Sequence, residues 1–243
     1  MTDIATSAPA ATEAPKGLLA RMMGVFLSPR ATYAGVAARP RWFGALAITS
    51  LVVAGGFFVL LSTDVGKQTT LDQQTKVLES FGVKLNDAAR AGMEAGIERA
   101  RYTTPIAQLV IIPVVMLIGA GILLGIFNAL LGGDARFKQV FAILVHSSLI
   151  SALQNTFARP INYVNATMSS PTTLGALMPF LDEKTFLARF LGMIDLFQIW
   201  GTLSLAIGLG VLYKRRTMPI ATTMFVIYGV IVAAIAAVMS ALS

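Results

Sequence analysis

Two segments of the chain combine an apolar background with polar side chains that could do chemistry. The first contains His146, Ser151, Gln154 and Asn155, and the second contains Asp195 and Gln198. If both segments are helices, Gln154 and Asn155 share a face, and Asp195 and Gln198 share another at positions i and i+3. The pattern leaves two alternatives open. One is a hydrogen-bonded clasp between two helices, which we favour, and the other is an ion or substrate site.

Catalysis is not expected from these residues. A serine, His146 and Asp195 would be the members of a Ser-His-Asp triad, but His146 is nine residues deeper in its segment than Asn155. That spacing puts it on the order of 10 Å from the level of Asp195. The chain has no cysteine and one histidine, so it offers neither a thiol nucleophile nor a zinc ligand set. We therefore expect no enzyme, no metal and no cofactor, and we interpret His146 as a helix-packing residue.

The elements that must position these residues follow from the composition. The chain is 56% hydrophobic and 13% charged, whereas soluble domains carry about 25% charged residues. Its apolar residues form five runs, each near the length of about 20 residues that crosses a bilayer. The runs are 42–61, 105–131, 140–158, 190–213 and 218–242. The sequence predicts an all-α polytopic membrane protein with five transmembrane helices in one domain, 18–242, behind a disordered tail, 1–17. The predicted outer loops are 62–104 and 159–189.

Basic residues are concentrated on one side of the predicted membrane domain. With the N-terminus inside, the inner segments hold ten basic residues and three acidic ones, a net of +7 that equals the formal charge of the chain. Because basic segments stay in the cytoplasm, we predict a cytoplasmic N-terminus and a C-terminus outside. The ten are Lys16, Arg21, Arg30, Arg39, Arg41, Arg136, Lys138, Lys214, Arg215 and Arg216.

Residues 18–41 predict two short cytoplasmic helices at the membrane surface. The apolar residues of 18–27 form one stripe, with Arg21 on the other face. Ser28-Pro29 should end this helix and start a second, which carries Tyr33 and stops before Pro40. We expect Tyr33 to lie among the lipid headgroups. The predicted contacts with lipids or partners are Arg21, Arg30, Arg39, Arg41 and Trp42.

The predicted outer loops also contain helix signals. Segment 62–104 reads as two amphipathic helices broken near Gly82, with Asn86 as the N-cap of the second. In the other loop, Ser170 before Pro171 predicts the start of a short helix. We expect the two helices of 62–104 to lie on the bilayer or over the mouth of the bundle, and the alternative is a partner-binding face.

Three stretches together resemble the Ypt-interacting-protein (YIP) family, specifically its bacterial-type members. They are "FLSPRATYAGVAARPRWFGAL", the polar third predicted span, and "LGMIDLFQIWGTLSLAIGLGVLYKRR". The resemblance covers about residues 20 to 240 and implies a small five-helix membrane protein; eukaryotic relatives bind prenylated Rab-type GTPases. The "DLYGP" element of those relatives is absent here, which argues against GTPase binding. The positions that the family pattern places on this chain are Pro29, Trp42, Asp195, Phe197, Trp200 and Gly208.

Two hypotheses from different classes follow. In the first, the protein is a non-enzymatic membrane adaptor or scaffold that binds lipids, partner membrane proteins or a second copy through its basic N-terminal helices. In the alternative, it is a small transporter, or an accessory subunit of a transport complex, that uses the polar third and fourth spans. An odd number of spans without a visible repeat weighs against the alternative. Neither hypothesis involves nucleic acid.

Overall fold

The computed structural model describes residues 17–182 and 185–242, and in these residues it contains helices and no strand. The all-α prediction is therefore confirmed, while residues 1–16 of the predicted tail lie outside the described residues. The helices are α1 (Leu18–Leu27), α2 (Pro29–Ala38), α3 (Phe43–Leu61), α4 (Asp64–Ser80), α5 (Asp87–Leu131), α6 (Phe137–Ser147), α7 (Leu149–Val164), α8 (Phe186–Met193), α9 (Leu196–Leu212) and α10 (Thr217–Leu242).

Within the described residues, four helical segments are long and apolar enough to cross a membrane. They cover the first, second, third and fifth predicted spans, and they are Phe43–Leu61, Asp87–Ala129, Phe137–Val164 and Thr217–Ala241. The fourth predicted span corresponds to α9, which has 17 residues and lies at the lower limit of the usual length, about 17 to 25 residues. The chain is a multi-pass membrane protein, and the count of five spans stays a prediction.

The fourth predicted span is not one continuous helix, which corrects the prediction of a helix over 190–213. α8 ends at Met193 and α9 begins at Leu196. Between them, Asp195 has an extended backbone, and its carboxylate accepts a hydrogen bond from the Phe197 N–H at 2.8 Å. Aspartate is a preferred N-cap because its oxygen satisfies a free N–H of the first turn. Asp195 therefore starts a helix and does not lie within one.

The second span and the helix before it form one helix, α5, of 45 residues. The predicted break at Gly82 and the predicted cap are both present, since Asn86 Oδ1 accepts from the Ala89 N–H at 2.8 Å. A 45-residue helix is about 68 Å long, more than twice the thickness of the hydrocarbon layer. Residues 87–104 therefore extend beyond that layer and pack on α4, with an ion pair between Lys67 and Glu98. We call residues 64–104 the α4–α5 hairpin.

The third span is the centre of the bundle. It consists of α6 and α7, which are separated at Ser148. The hydroxyls of Ser147 and Ser148 donate to the carbonyls of Leu144 and Val145, a local bonding pattern that bends helices. α3 and α5 pack on one side of this element, α2 and α9 pack on the other, and α10 packs on α8 and α9.

Helix α2 belongs to the bundle core, which makes the predicted surface position of Tyr33 wrong. Tyr33 is fully buried, and its hydroxyl lies 2.7 Å from Ser204 Oγ. Its ring lies against Gly208, where an added Cβ would be 3.1 Å from it. The small residues of α9 let α2 approach closely, and the hydroxyl partner offsets the cost of burying the tyrosine. Burial raises the pKa of Tyr33, and the hydrogen bond to Ser204 lowers it by less.

Helix α1 has apolar residues exposed along one side, and Arg21 lies on a different side. Its exposed side is apolar and contains Leu19 and Leu27, whose side chains are 74% and 76% exposed. Arg21 does not occupy a solvent-facing side: it is half-buried, and its Nη1 donates to the Arg41 carbonyl at 3.4 Å. Burial first, and the charge of Arg41 second, lower the pKa of Arg21. The exposed apolar side of α1 suits a helix that rests on the membrane surface.

The short helix predicted to start at Ser170-Pro171 is absent. The only helical turn between α7 and α8 in the described residues is a 3-10 turn, Gly175–Leu177. The Ser170 hydroxyl bonds instead to Asp195, 25 residues away in the sequence. The Ser170 oxygen still accepts a long local bond from the Thr172 N–H at 3.5 Å, but no helix follows it.

Candidate functional site

The Asp195 carboxylate is the centre of a buried polar cluster. Three side chains donate to its Oδ2 atom: Gln154 Nε2 at 2.7 Å, Ser170 Oγ at 2.5 Å and Thr172 Oγ1 at 2.7 Å. Asp195 is 8% exposed, and its Oδ1 atom is occupied by the N-cap bond to Phe197. We call Asp195, Gln154, Ser170 and Thr172 the Asp195 cluster.

Backbone contacts surround the Asp195 cluster and fix its position. The Leu196 N–H donates to the Thr172 carbonyl at 3.1 Å, and the Leu174 N–H donates to the Ile194 carbonyl at 2.8 Å. The Tyr228 hydroxyl of α10 donates to the Met193 carbonyl at 2.6 Å. The cluster therefore joins α7 and the loop before α8 to the start of α9. Four donors fill the two carboxylate oxygens, and this geometry matches the clasp better than an ion site.

The structure brings together only part of the predicted polar cluster. Gln154 and Asp195 meet, as expected for facing stripes. Asn155 does not join them: its Nδ2 donates to the carbonyl of Ser151, one turn earlier in the same helix, at 2.9 Å. Gln198 is exposed. The expected meeting of Asn155 and Gln198 with this cluster is wrong, because Asp195 precedes α9 and Asn155 is turned toward α3.

His146 is fully buried in α6 and makes a local contact. Its Nδ1 lies 2.7 Å from the Ala142 carbonyl, one turn earlier, and its Nε2 has no hydrogen-bond partner. Arg21 is the charged residue that interacts electrostatically with the His146 ring. Within 17–182 and 185–242, no group of three His, Cys, Asp or Glu residues could hold a metal ion. These contacts agree with the predicted packing role.

Arg159 is a candidate that the sequence did not single out. It was predicted to begin an outer loop, but α7 continues through Pro160 to Val164, so Arg159 lies on a helix facing α3. Its guanidinium carbon is 4.1 Å from the centre of the Phe57 ring, and its Nε has no hydrogen-bond partner. Beside it, between α3 and α7, is a largely apolar cavity of about 470 Å³, which we call the α3–α7 groove.

The predicted arginine contacts lie at the opposite end of the bundle, which we call the basic end. Arg30 Nη2 is 3.4 Å from Thr217 Oγ1, and Gln139 Nε2 donates to the Ala37 carbonyl at 3.0 Å, so α2 meets the starts of α6 and α10. Trp42 is half-buried with its ring centre 5.2 Å from that of Phe141. Among the described residues, this end has one carboxylate, Asp134, and nine basic residues: Arg21, Arg30, Arg39, Arg41, Arg136, Lys138, Lys214, Arg215 and Arg216.

Sequence signals existed for some of the residues that were missed. Aspartate before an apolar helix is a common N-cap, so Asp195 could have been assigned to a helix start. The run Ser169-Ser170-Pro171-Thr172-Thr173 contains several hydroxyl groups that could donate hydrogen bonds. No feature of the local sequence indicates that Asp195 is their acceptor. The position of Arg159 depended on whether α7 continues past Pro160, and the local preference before a proline argues against continuation.

The apolar helices and their internal polar contacts define a multi-pass α-helical membrane protein. Residues 23–240 match the family model of the Yip1 domain, and the chain therefore belongs to the YIP family, as the resemblance predicted. No curated protein and no solved structure shows a significant match to the chain.

Proposed function

We propose that this YIP-family protein acts as a membrane adaptor that binds anionic lipids or partner proteins at its basic end. The observation that carries the proposal is the accumulation of nine basic residues against one carboxylate among the described residues there. Arg30, Arg39 and Arg41 are exposed on or next to α2, and α2 is anchored in the core through Tyr33. A rigid support of this kind reduces the entropy that a partner must overcome on binding.

Neutralising the exposed arginines tests the adaptor function. The variant Arg30→Gln, Arg39→Gln, Arg41→Gln removes three charges and leaves the half-buried Arg21 in place. The matched control removes three exposed charges from the α4–α5 hairpin: Lys76→Gln, Lys84→Gln, Arg99→Gln. We expect proximity labelling in living cells to lose the partners of the wild-type protein in the first variant only. Equal labelling by both variants would refute a role of the basic end.

We also propose that the basic end is cytoplasmic in a bacterial inner membrane. The support is the charge difference between the two ends, since segment 62–104 contains six basic and six acidic residues. The bacterial assignment rests on the resemblance to bacterial-type YIP members.

The absence of cysteine makes orientation directly measurable. A membrane-impermeant maleimide applied to intact cells should label Lys84→Cys and spare Arg39→Cys, and both should react after the cells are opened. Labelling of Arg39→Cys in intact cells would reverse the proposed orientation.

The same proposal includes no catalytic role and no transport role for the polar spans. Its support is that His146 bonds within its own helix, while the oxygens of Asp195 are taken up by donors from the chain. A transport path through these spans would need Asn155, Asp195 and Gln198 along one route, and no observation favours that arrangement.

A further inference from the structure

The α3–α7 groove has the shape of a binding site for an elongated apolar ligand. Its α3 side runs from Val52 to Leu60, about 12 Å along the helix axis, and two adjacent glycines, Gly55 and Gly56, leave room for a ligand there. Its volume of about 470 Å³ falls within the range of about 300 to 1,000 Å³ found for small-molecule sites. A hydrocarbon chain fits these properties, since most of the lining is apolar.

Arg159 supplies a positive charge at this groove, and no described residue provides a counterion for it. Its stem lies on Gly56, where an added Cβ would be 3.3 Å from Arg159 Cγ, and its guanidinium lies on the Phe57 ring. No carboxylate of the described residues approaches it within 4.0 Å. A guanidinium near hydrocarbon is costly unless an anion accompanies it, and phosphate is the anion that guanidinium binds in a bidentate way.

Neighbouring residues place Arg159 at the level of lipid headgroups. Arg101 of α5 repeats the arrangement one residue further along α3, since its guanidinium carbon is 5.8 Å from the centre of the Phe58 ring and 4.7 Å from that of Tyr102. Tyr102 and Tyr163 are about half exposed, at 54% and 48%. Tyrosines are enriched where apolar and polar parts of the bilayer meet.

We infer that the α3–α7 groove binds one anionic phospholipid, with an acyl chain in the groove and the phosphate on Arg159. The charge complementarity selects an anionic headgroup, and the apolar lining selects a lipid over a free phosphate ion. This site lies at the opposite end of the bundle from the basic end, so it does not depend on the proposed adaptor function.

Native mass spectrometry of the detergent-purified protein tests the inference. The probes are phosphatidylglycerol and phosphatidylcholine with the same long chains, and dihexanoyl phosphatidylglycerol as a short-chain form. The wild-type protein should retain one long-chain phosphatidylglycerol in preference to phosphatidylcholine. Arg159→Gln should bind it about tenfold more weakly, as expected for the loss of a charge-assisted hydrogen bond, and Arg159→Lys should keep part of the preference. Arg90→Gln, on the distant hairpin, is the charge-matched control and should bind normally.

A second variant tests the chain-binding part without touching the arginine. An added Cβ at Gly55, which lines the groove, meets no atom within 4 Å, so Gly55→Leu is chosen to occupy part of the groove. Gly55→Leu should weaken the binding of long-chain phosphatidylglycerol about tenfold, which is the effect of losing contacts to about two methylene groups. It should change the binding of the dihexanoyl form little.

Three results would overturn the inference. The first is equal retention of phosphatidylglycerol by the wild-type protein and Arg159→Gln. The second is no preference of the wild-type protein for phosphatidylglycerol over phosphatidylcholine. The third is loss of a dimer in Gly55→Leu with unchanged lipid binding, which would assign the groove to a second copy of the chain.

Discussion

Helix α7 carries two polar side chains that meet opposite environments. Gln154 faces α9 and donates to Asp195, whose carboxylate receives four hydrogen bonds from the chain. Arg159, five residues later and about 140° around the helix, faces α3 and lies on an aromatic ring with no carboxylate of the described residues near it. The fold provides the Asp195 carboxylate with hydrogen-bond donors, whereas no described residue provides Arg159 with a carboxylate.

The difference separates a structural charge from a charge available to a ligand. Burying an ionised group is costly, and the cost is offset when hydrogen-bonding partners replace water. The partners of Asp195 come from three parts of the same chain, so its bonds hold those parts together. The Nε–H donor of Arg159 has no acceptor among the described residues, so a ligand could provide one. Unfilled hydrogen-bonding capacity therefore identifies the better candidate for ligand binding.

The largest effect is expected from removing the satisfied charge. Asp195→Ala leaves the donors of Gln154, Ser170 and Thr172 without their acceptor and removes the cap of α9. We expect the free energy of unfolding to fall by about 3 to 5 kcal/mol, measured by titration with a denaturing detergent. Asp195→Asn keeps an acceptor for the cap and should lose less. If Asp195→Ala unfolds like the wild-type protein, the Asp195 cluster is not a structural clasp.

A smaller effect is expected from removing one donor. Gln154→Leu should lower the free energy of unfolding by about 1 to 2 kcal/mol, because an interhelical hydrogen bond to a carboxylate is lost. Asn155→Leu is the matched control, since the amide of Asn155 donates to a carbonyl of its own helix. This variant should lower the free energy of unfolding less than Gln154→Leu in the same titration. The reverse order of the two variants would contradict the described partners of Asp195.

The unpaired arginine should matter little for stability. Arg159→Gln loses the contact with Phe57, and we expect the free energy of unfolding in uncharged detergent to change by less than about 1 kcal/mol. Adding phosphatidylglycerol should stabilise the wild-type protein more than this variant, because the variant binds the lipid about tenfold more weakly. A loss comparable to that of Asp195→Ala would mean that Arg159 also has a structural role.

The smallest effect is expected from removing an ion pair at the protein surface, where water can solvate the charges. Lys67 and Glu98 are paired in the α4–α5 hairpin at 2.7 Å, with side chains 22% and 67% exposed. Exposed ion pairs contribute about 0 to 1 kcal/mol, so Lys67→Ala should change the unfolding titration by less than about 0.5 kcal/mol. High salt should reduce even that difference. A larger effect would indicate that the hairpin is less hydrated than its exposure suggests.

The sequence predicted where most helices begin and end. Pro29 starts α2, Asn86 caps α5, and Gly82 separates α4 from α5, because each acts through its own backbone or the next turn. It also predicted that Gln154 and Asp195 would meet. It did not predict that the Ser170 hydroxyl would donate to Asp195, since that bond depends on a residue 25 positions away.

The sequence by itself determined that this is a multi-pass helical membrane protein with its positive charge at one end. Those properties follow from apolar run length and from charge counts, which are local sums. Only the tertiary structure decided that Tyr33 is buried against Ser204 and Gly208, that α7 continues beyond Pro160, and that Arg159 lies unpaired beside a groove. The physical reason is that the hydrogen-bonding partners of a side chain are the distant groups that packed helices bring close to it. Helical periodicity does not contain that information.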